Sequence, residues 1–424
     1  MPNRSIGVVV LVASLLGFTS ASAAGPGGLQ AGAPRNLAKP RIAGLAITGQ
    51  TLTAYHGTWA GRPAKYRYVW QRCSKAGRSC RQARLGSRYP ISSRDVGRRL
   101  RLVVTASNRA GSRSARSRAT PAVTRSGGPP TKSPPPVGGY FSLQPVGTWS
   151  RLPSGAACAR LVHRSTWEPR RDNTKRNHIV PDANAVHRAF AARPLAGGGY
   201  DRRWDTWLLR RVDGQFTGTT DEIFQWGACK WGLSDDMLRA IADEESTWYQ
   251  YLVYPSERCV SFYGCGDFFE TSSVASKVFC DAIARYGHDY QKDYGSGLCP
   301  QTFSIVGIKS WQAPEWGRMP DNQNGTFPFA RDSTAFGVDY IGSYLRGCYE
   351  GWIHWLREEG NYAAGDIWGC VGSWFSGDWH DSGAESYNNR VRSDLNRHTW
   401  LQRDWPNNRP SCSARYGCPR PDSL

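Results

Sequence analysis

Between residues 35 and 125 apolar positions recur every second residue. Tyr66, Tyr68 and Trp70 alternate with Lys65 and Arg67, and Leu100, Leu102, Val104 and Ala106 alternate with Arg99 and Arg101. A period of two lines one face of a β-strand, and turn residues separate these runs. The stretch is therefore predicted to be a small all-β sandwich. After residue 140 the period lengthens. Helical spacing runs over 182–192, 273–286, 333–358 and 384–396, with Phe336, Tyr340, Tyr344 and Leu345 marking the third window. The clearest helix lies between Trp231 and Trp248. Ser234 is a good N-cap, and Asp235 and Asp236 follow where the helix dipole favours negative charge. The expectation for 140–424 is a mainly α domain whose long, Trp- and Gly-rich loops are fastened by disulfides.

That helix also carries the candidate chemistry. At roughly 100° per residue, Leu238, Ile241, Ala242 and Glu245 share one stripe, with Met237 at its edge. Glu245 is thus predicted to point with the apolar residues, and Glu244 to lie nearer the rim. A carboxylate late in a helix faces the unfavourable end of the dipole, and burial adds a desolvation cost. Both would raise its pKa, which a general acid working near neutral pH requires. The structural alternative is a buried Glu held by an Arg.

Composition divides the chain. Residues 35–125 hold 21 Lys or Arg against one acid, Asp95, while residues 138–424 sum to −2 in a chain of net +20. Trp is skewed the other way, with 16 of 18 after residue 138. Between them, residues 126–139 form a Pro- and Gly-rich linker expected to be extended and semi-rigid. Residues 1–23 read as a signal peptide: Arg4, an apolar run from Ile6 to Phe18, then Ala21-Ser22-Ala23 as a small-residue cleavage site. Residues 24–34 form a flexible leader. The expectation is a secreted, extracellular, wall-associated protein with no transmembrane segment and no role with intracellular nucleic acid.

The 12 cysteines, with no CxxC or HExxH and scattered His, favour disulfides over a metal site. No metal and no cofactor is expected. Proximity suggests Cys73–Cys80, Cys259–Cys265, Cys348–Cys370 and Cys412–Cys418. The field of the basic stretch suits polyanions: anionic wall polymers, acidic glycans or lipid surfaces, with extracellular nucleic acid as runner-up and a solvated Arg-rich spacer as the bland alternative.

Two resemblances bear on this division. Gly49 to Ala54, Gly57-Thr58-Trp59, Tyr68 to Cys73, Asp95-Val96-Gly97 and Val103 to Asn108 together resemble the Ig-like repeats of exported bacterial surface proteins. Residues 230–395 resemble the lytic transglycosylases of the lysozyme-like superfamily. The first motif is Glu245-Ser246-Thr247-Trp248 at a helix end. The second is Phe303 to Lys309, with Ser304 in place of a Gly, Ile305 following it, and Gly307 in place of a Gln. The third is Ser373-Trp374-Phe375-Ser376-Gly377, with Trp374 in place of a Tyr, then Tyr387 and Val391. The resemblance implies a multidomain chain, an Ig-like sandwich before a lysozyme-like α domain. It implies Glu245 as the single catalytic acid, and Ser246, Trp248, Ser304, Ile305, Trp374, Phe375 and Tyr387 as substrate-binding residues.

In that family the acid protonates the glycosidic oxygen between MurNAc and GlcNAc of peptidoglycan. The same carboxylate then takes the proton of the MurNAc C6 hydroxyl, whose oxygen closes onto C1 and leaves a 1,6-anhydro end. Most glycosidases use a second carboxylate. Asp267, Glu270, Asp378 and Asp381 are the candidates that would turn the chemistry into a lysozyme-type hydrolysis. A non-catalytic wall-binding protein on the same scaffold is the alternative, and a chitinolytic enzyme a third. Trp167 to Asn173 mixes charged and aromatic residues outside both resemblances and is expected to wrap the domain as a loop.

Overall fold

The computed structural model describes residues 32–126, 130–250, 268–270, 281, 298–300, 302–310, 324–358 and 361–405. A sheet-rich region comes first and a helical region follows. The predicted signal segment, the helix at 273–286 apart from Asp281, Asp267, and the pairs Cys259–Cys265 and Cys412–Cys418 lie outside the described residues.

Nine strands build the first region: β1 Arg35–Ala38, β2 Arg41–Ala43, β3 Thr51–Tyr55, β4 Thr58–Ala60, β5 Lys65–Cys73, β6 Cys80–Leu85, β7 Arg88–Pro90, β8 Arg99–Asn108 and β9 Gly111–Arg116. An antiparallel sheet of order β6-β5-β8-β9 faces a smaller one of order β2-β3-β7, and β1 pairs with β4 at the side. Period-two alternation sets the register: with one face buried, a one-residue slip would expose every apolar side chain. Leu100, Leu102, Val104 and Ala106 are all fully buried, and the first three pack with Leu52, Ala54, Trp70, Tyr89 and Ile91 between the sheets. Cys73 and Cys80 staple the β5–β6 hairpin. Asp95, the lone acid, is buried and accepts hydrogen bonds from Arg72 Nε at 2.7 Å, Tyr89 Oη at 2.8 Å and Ser92 N at 2.8 Å.

The helical region contains α1 Gly155–Leu161, α2 Ala183–Ala191, α3 Thr220–Trp231, α4 Asp235–Ser246, α5 Thr334–Tyr349, α6 Ile367–Ser376 and α7 Ser382–Arg397. Local signals fix the α3–α4 corner. Thr219 and Glu222 form a capping box, Gly232 closes α3 in the left-handed region at φ 62°, and the Ser234 side chain caps α4. Helix α4 packs against α3 and α7, and α3 also against α5. The helix expected over 333–358 stops at Tyr349, because Gly351 turns the chain at φ 81° and a short 3-10 turn follows. Cys348–Cys370 ties α5 to α6, and Cys158–Cys229 ties α1 to α3. The latter pair, 71 residues apart, has no spacing signal.

Polar side chains also fill this core. Arg239 is fully buried and meets Asp221 at 2.7 Å, Asp235 at 2.9 Å and Asp236 at 2.6 Å. Lys230 lies 2.8 Å from the buried Asp339, which also accepts from Trp231 Nε1.

The two regions meet along β2 and β3. Gln50 and Thr217 exchange hydrogen bonds, Nε2 to the Thr217 carbonyl at 2.7 Å and Thr217 N to Oε1 at 2.7 Å, while Thr51 N donates to Thr217 Oγ1 at 2.7 Å. Arg41 pairs with Asp182, Tyr55 Oη donates to the Val180 carbonyl at 2.8 Å, and Ile47 joins the helical region's core. The described part of the linker is tied to the helical region at Thr131, whose N donates to the Arg164 carbonyl at 2.9 Å and whose carbonyl accepts from Thr166 N at 2.8 Å. Among the described residues no helix is long and apolar enough to cross a membrane.

Candidate active site

Helix α4 is buried on every side, and Glu245 is its one residue that is only partly buried. This corrects the predicted order of the two neighbours. Glu244, expected at the rim, is 7 % exposed and paired with Arg390, while Glu245 keeps access to solvent. The reason is tertiary. Helix α7 and the chain after it cover the flank of α4 that a lone amphipathic helix would leave wet. Asp243, on that flank, accepts from Trp405 Nε1 at 2.7 Å, and burial followed by the nearby Asp394 pushes its pKa up to about 7.

Tyr387, from α7, donates its hydroxyl to Glu245 Oε1 at 2.6 Å. Burial, and next the Glu245 carboxylate, hold the Tyr387 phenol well above its ordinary pKa, so it stays a donor. Phe375, at the end of α6, stacks on Tyr387 with centroids 4.7 Å apart and planes 6° off parallel. It is 53 % exposed, an unusual position for a Phe. The Arg390 guanidinium lies 5.7 Å from the Phe375 ring centre and 5.8 Å from that of Tyr387.

Opposite Tyr387 stands the turn of a small hairpin, Thr302–Phe303 paired with Ile308–Lys309. Gly307 there has φ 65°, and a Cβ on it would collide with Glu245 Oε2. Glycine takes this backbone without strain, and any larger residue would push the Glu245 carboxylate aside. Ser304 is held at φ 81°, the conformation that the Gly of a turn would adopt freely, and its hydroxyl fills the room left by the missing Cβ of Gly337.

The remaining predicted residues support this arrangement from behind. Ser246 is buried and donates to the Ile305 carbonyl at 2.8 Å, pinning the helix end to the turn. Ile305 and Ser304 are fully buried. Trp374 is half-buried, with Nε1 on the Val306 carbonyl at 3.1 Å and its ring against Tyr344. Trp248 lies wholly in the core, its Nε1 on the Arg239 carbonyl at 2.8 Å and its ring among Phe224, Trp400 and Trp405. Thus the partly buried Glu245 and the exposed Phe375 are joined through the buried Tyr387, with Gly307 against the acid. Ser246, Trp248, Ser304 and Ile305 do not face it.

Of the candidate second carboxylates, Asp381 caps α7 through the Ala384 and Gly383 amides, and Asp378 is exposed. Asp267 is outside the described residues, and only the backbone of Glu270 is described. Among the described residues no cluster of His, Cys, Asp and Glu could hold a metal ion.

Several supporting residues carry no sequence signal. Asn173 Nδ2 donates to the Trp248 carbonyl at 2.6 Å and its Oδ1 accepts from Gln250 N at 2.9 Å. Gln250 Oε1 accepts from Ile305 N at 3.2 Å. Arg170 donates to the Thr247 carbonyl at 2.8 Å, with its guanidinium between the Tyr249 and Trp405 rings. The segment 167–173 therefore clamps the chain leaving α4. Arg390 alone had a readable cue, one helical turn beyond Tyr387. No family model matches the chain, and no curated protein matches it.

Proposed function

We propose that the chain is an exported peptidoglycan-cleaving enzyme of the lytic transglycosylase kind, on a lysozyme-like helical scaffold behind an Ig-like module. The observation that carries this reading is Glu245 itself: one partly buried carboxylate, hydrogen-bonded to a buried phenol on which an exposed aromatic ring stacks. An acid of this kind protonates the leaving oxygen of a glycosidic bond. The Tyr387 hydrogen bond fixes which oxygen faces the substrate. Phe375 offers a ring face to the apolar side of a sugar. Asp381 serves as a helix cap and Asp378 lies in solvent, which fits one-acid chemistry with the sugar's own C6 hydroxyl as nucleophile.

The test is incubation with purified peptidoglycan and mass spectrometry of the products. Glu245→Gln is expected to lower glycan release by at least about a hundredfold, the lower end of what a positioned acid supplies, while Glu244→Gln retains most activity. Products lighter by one water than hydrolytic fragments identify the anhydro end. Hydrolytic products would support a lysozyme-type reaction instead. The second reading is a wall-binding protein without catalysis. Gly307 favours it, since it stands where the family has a Gln. Binding without cleavage by the wild-type chain would select it.

A further inference from the structure

The sheet-rich region carries 21 Lys or Arg between residues 35 and 125, of which 18 are Arg, against one acid. That acid is buried and engaged by Arg72, Tyr89 and Ser92. The region therefore presents cations and no exposed carboxylate. Such a field is unfavourable to the fold alone and attracts polyanions.

The strand register says which face is available. In the β5–β8 pairing Lys65 sits opposite Ser107, Arg67 opposite Thr105, Val69 opposite Val103 and Gln71 opposite Arg101. Arg116 lies beside Val103 and Leu85 beside Val69. These alternate with the inward set of Tyr66, Tyr68, Trp70, Leu102 and Val104, so they line the outer face of the four-stranded sheet. The hydrogen bonds described to the helical region come from the other sheet and its flanks, at Arg41, Gly44, Gly49, Gln50, Thr51 and Tyr55. Among the described residues Lys65, Arg67, Leu85 and Arg116 on the outer face are exposed.

Its chemistry selects among polyanions. Arginine matches phosphate geometry with its planar fork. Proteins that hold single-stranded nucleic acid add aromatic platforms on which bases stack. The outward positions of β5, β6, β8 and β9 hold no aromatic residue. They hold instead an apolar line, Val69, Val103 and the 50 % exposed Leu85, running between the cations. We infer that this face docks a base-free phosphate polymer of the polyol-phosphate type, its carbon backbone along the apolar line and its phosphates on Lys65, Arg67, Arg101 and Arg116. The choice of that polymer rests on the reading of the chain as an exported wall protein.

The test uses the full chain with poly(glycerol phosphate) as ligand, and single-stranded DNA of equal charge as competitor. Log affinity is expected to fall linearly with log salt. Replacing Lys65, Arg67, Arg101 and Arg116 together by Gln is expected to weaken binding by about tenfold or more and to flatten the salt slope. A control set with the same change in charge, Arg78, Arg94, Arg98 and Arg109 to Gln in the connecting loops, is expected to weaken it less than about threefold. Circular dichroism confirms that both variants fold. Equal losses in the two sets, salt-independent binding, no binding, or tighter binding to DNA would each overturn the inference. Glu245→Gln should leave polymer binding unchanged. Cleavage assayed on phosphate-polymer-free peptidoglycan separates failure of the docking face from failure of the enzymatic reading.

Discussion

The two regions of this chain place their charges in opposite ways. The sheet-rich region keeps its cations outside and buries one acid. The helical region, close to neutral, takes both signs into its core: Arg239 among three aspartates, Lys230 against Asp339, Arg346 against Glu350, Arg164 against Glu222. Buried charges are tolerated only with partners in good geometry, so they specify one arrangement of helices. In the helical region that arrangement holds α4, and with it Glu245. Exposed, unopposed charge specifies nothing about the fold and remains available to a partner.

The largest expected effect tests the buried half of this contrast. Arg239→Met should strand Asp221, Asp235 and Asp236 in a dry site and cost about 4 kcal/mol or more, the range for breaking a buried ion pair from one side. Urea unfolding monitored by tryptophan fluorescence would report it, since most of the tryptophans lie in this region. A loss under about 1 kcal/mol would mean that the cluster is not fastening α4 to α3.

Next in size is the lone acid of the other region. Burial alone would raise the Asp95 pKa, but the Ser92, Tyr89 and Arg72 hydrogen bonds outweigh it and leave it lowered. A carboxylate lowered in the folded state stabilises fully above its unfolded value, and the contribution disappears as pH falls through the folded value. Arg72 is 34 % exposed, which tempers the pair. Asp95→Asn should therefore cost the sheet-rich region about 2–3 kcal/mol at pH 7. The difference from wild type should shrink in acid, followed by far-UV circular dichroism between pH 2 and 7.

Asp243 should show the opposite sign. Burial and the nearby Asp394 raise its pKa from 3.8 to about 7. The folded state then holds the proton more tightly, so the penalty is absent below the unfolded value, grows as pH rises toward 7, and levels off above it. Asp243→Asn keeps an acceptor for Trp405 and removes the ionisation. It should stabilise the chain by about 2 kcal/mol at pH 8 and by little at pH 4, read from thermal melts at the two values. A variant whose gain is the same at both would place the effect in packing rather than in charge.

Sequence legibility divides along the same line. Alternation in β5 and β8 is readable because a period of two with one buried face admits one register. The α3–α4 corner is readable because Gly232, Ser234 and the capping residues act locally. The burial order of Glu244 and Glu245 is not readable: it depends on α7, about 140 residues away, covering one flank of α4. The same holds for Trp248, which the resemblance made a substrate-binding residue and which sits in the core. Asn173, Gln250 and Arg170 gain their roles from contacts 55 to 235 residues apart along the chain. Cys158–Cys229 is hidden for the same reason. Tyr387 was accessible only through its place in a motif, since a Tyr at helical spacing reads first as core.

The smallest expected change closes the comparison. The outward side chains Lys65, Arg67, Arg101 and Arg116 touch solvent or polar neighbours; the one hydrogen bond described for their head groups is Arg101 Nε to Gln71 Oε1 at 3.2 Å. Surface substitutions of this kind move stability by less than about 0.5 kcal/mol. Replacing all four by Gln also removes mutual repulsion in a region with no exposed acid, so the net effect should be near zero or slightly stabilising, most visibly at low salt where screening is weak. Thermal melts in low and high salt would measure it. A marked destabilisation would mean that these cations support the sheet. Unchanged stability would leave their concentration on one face without a folding role, as expected of charge held for a partner.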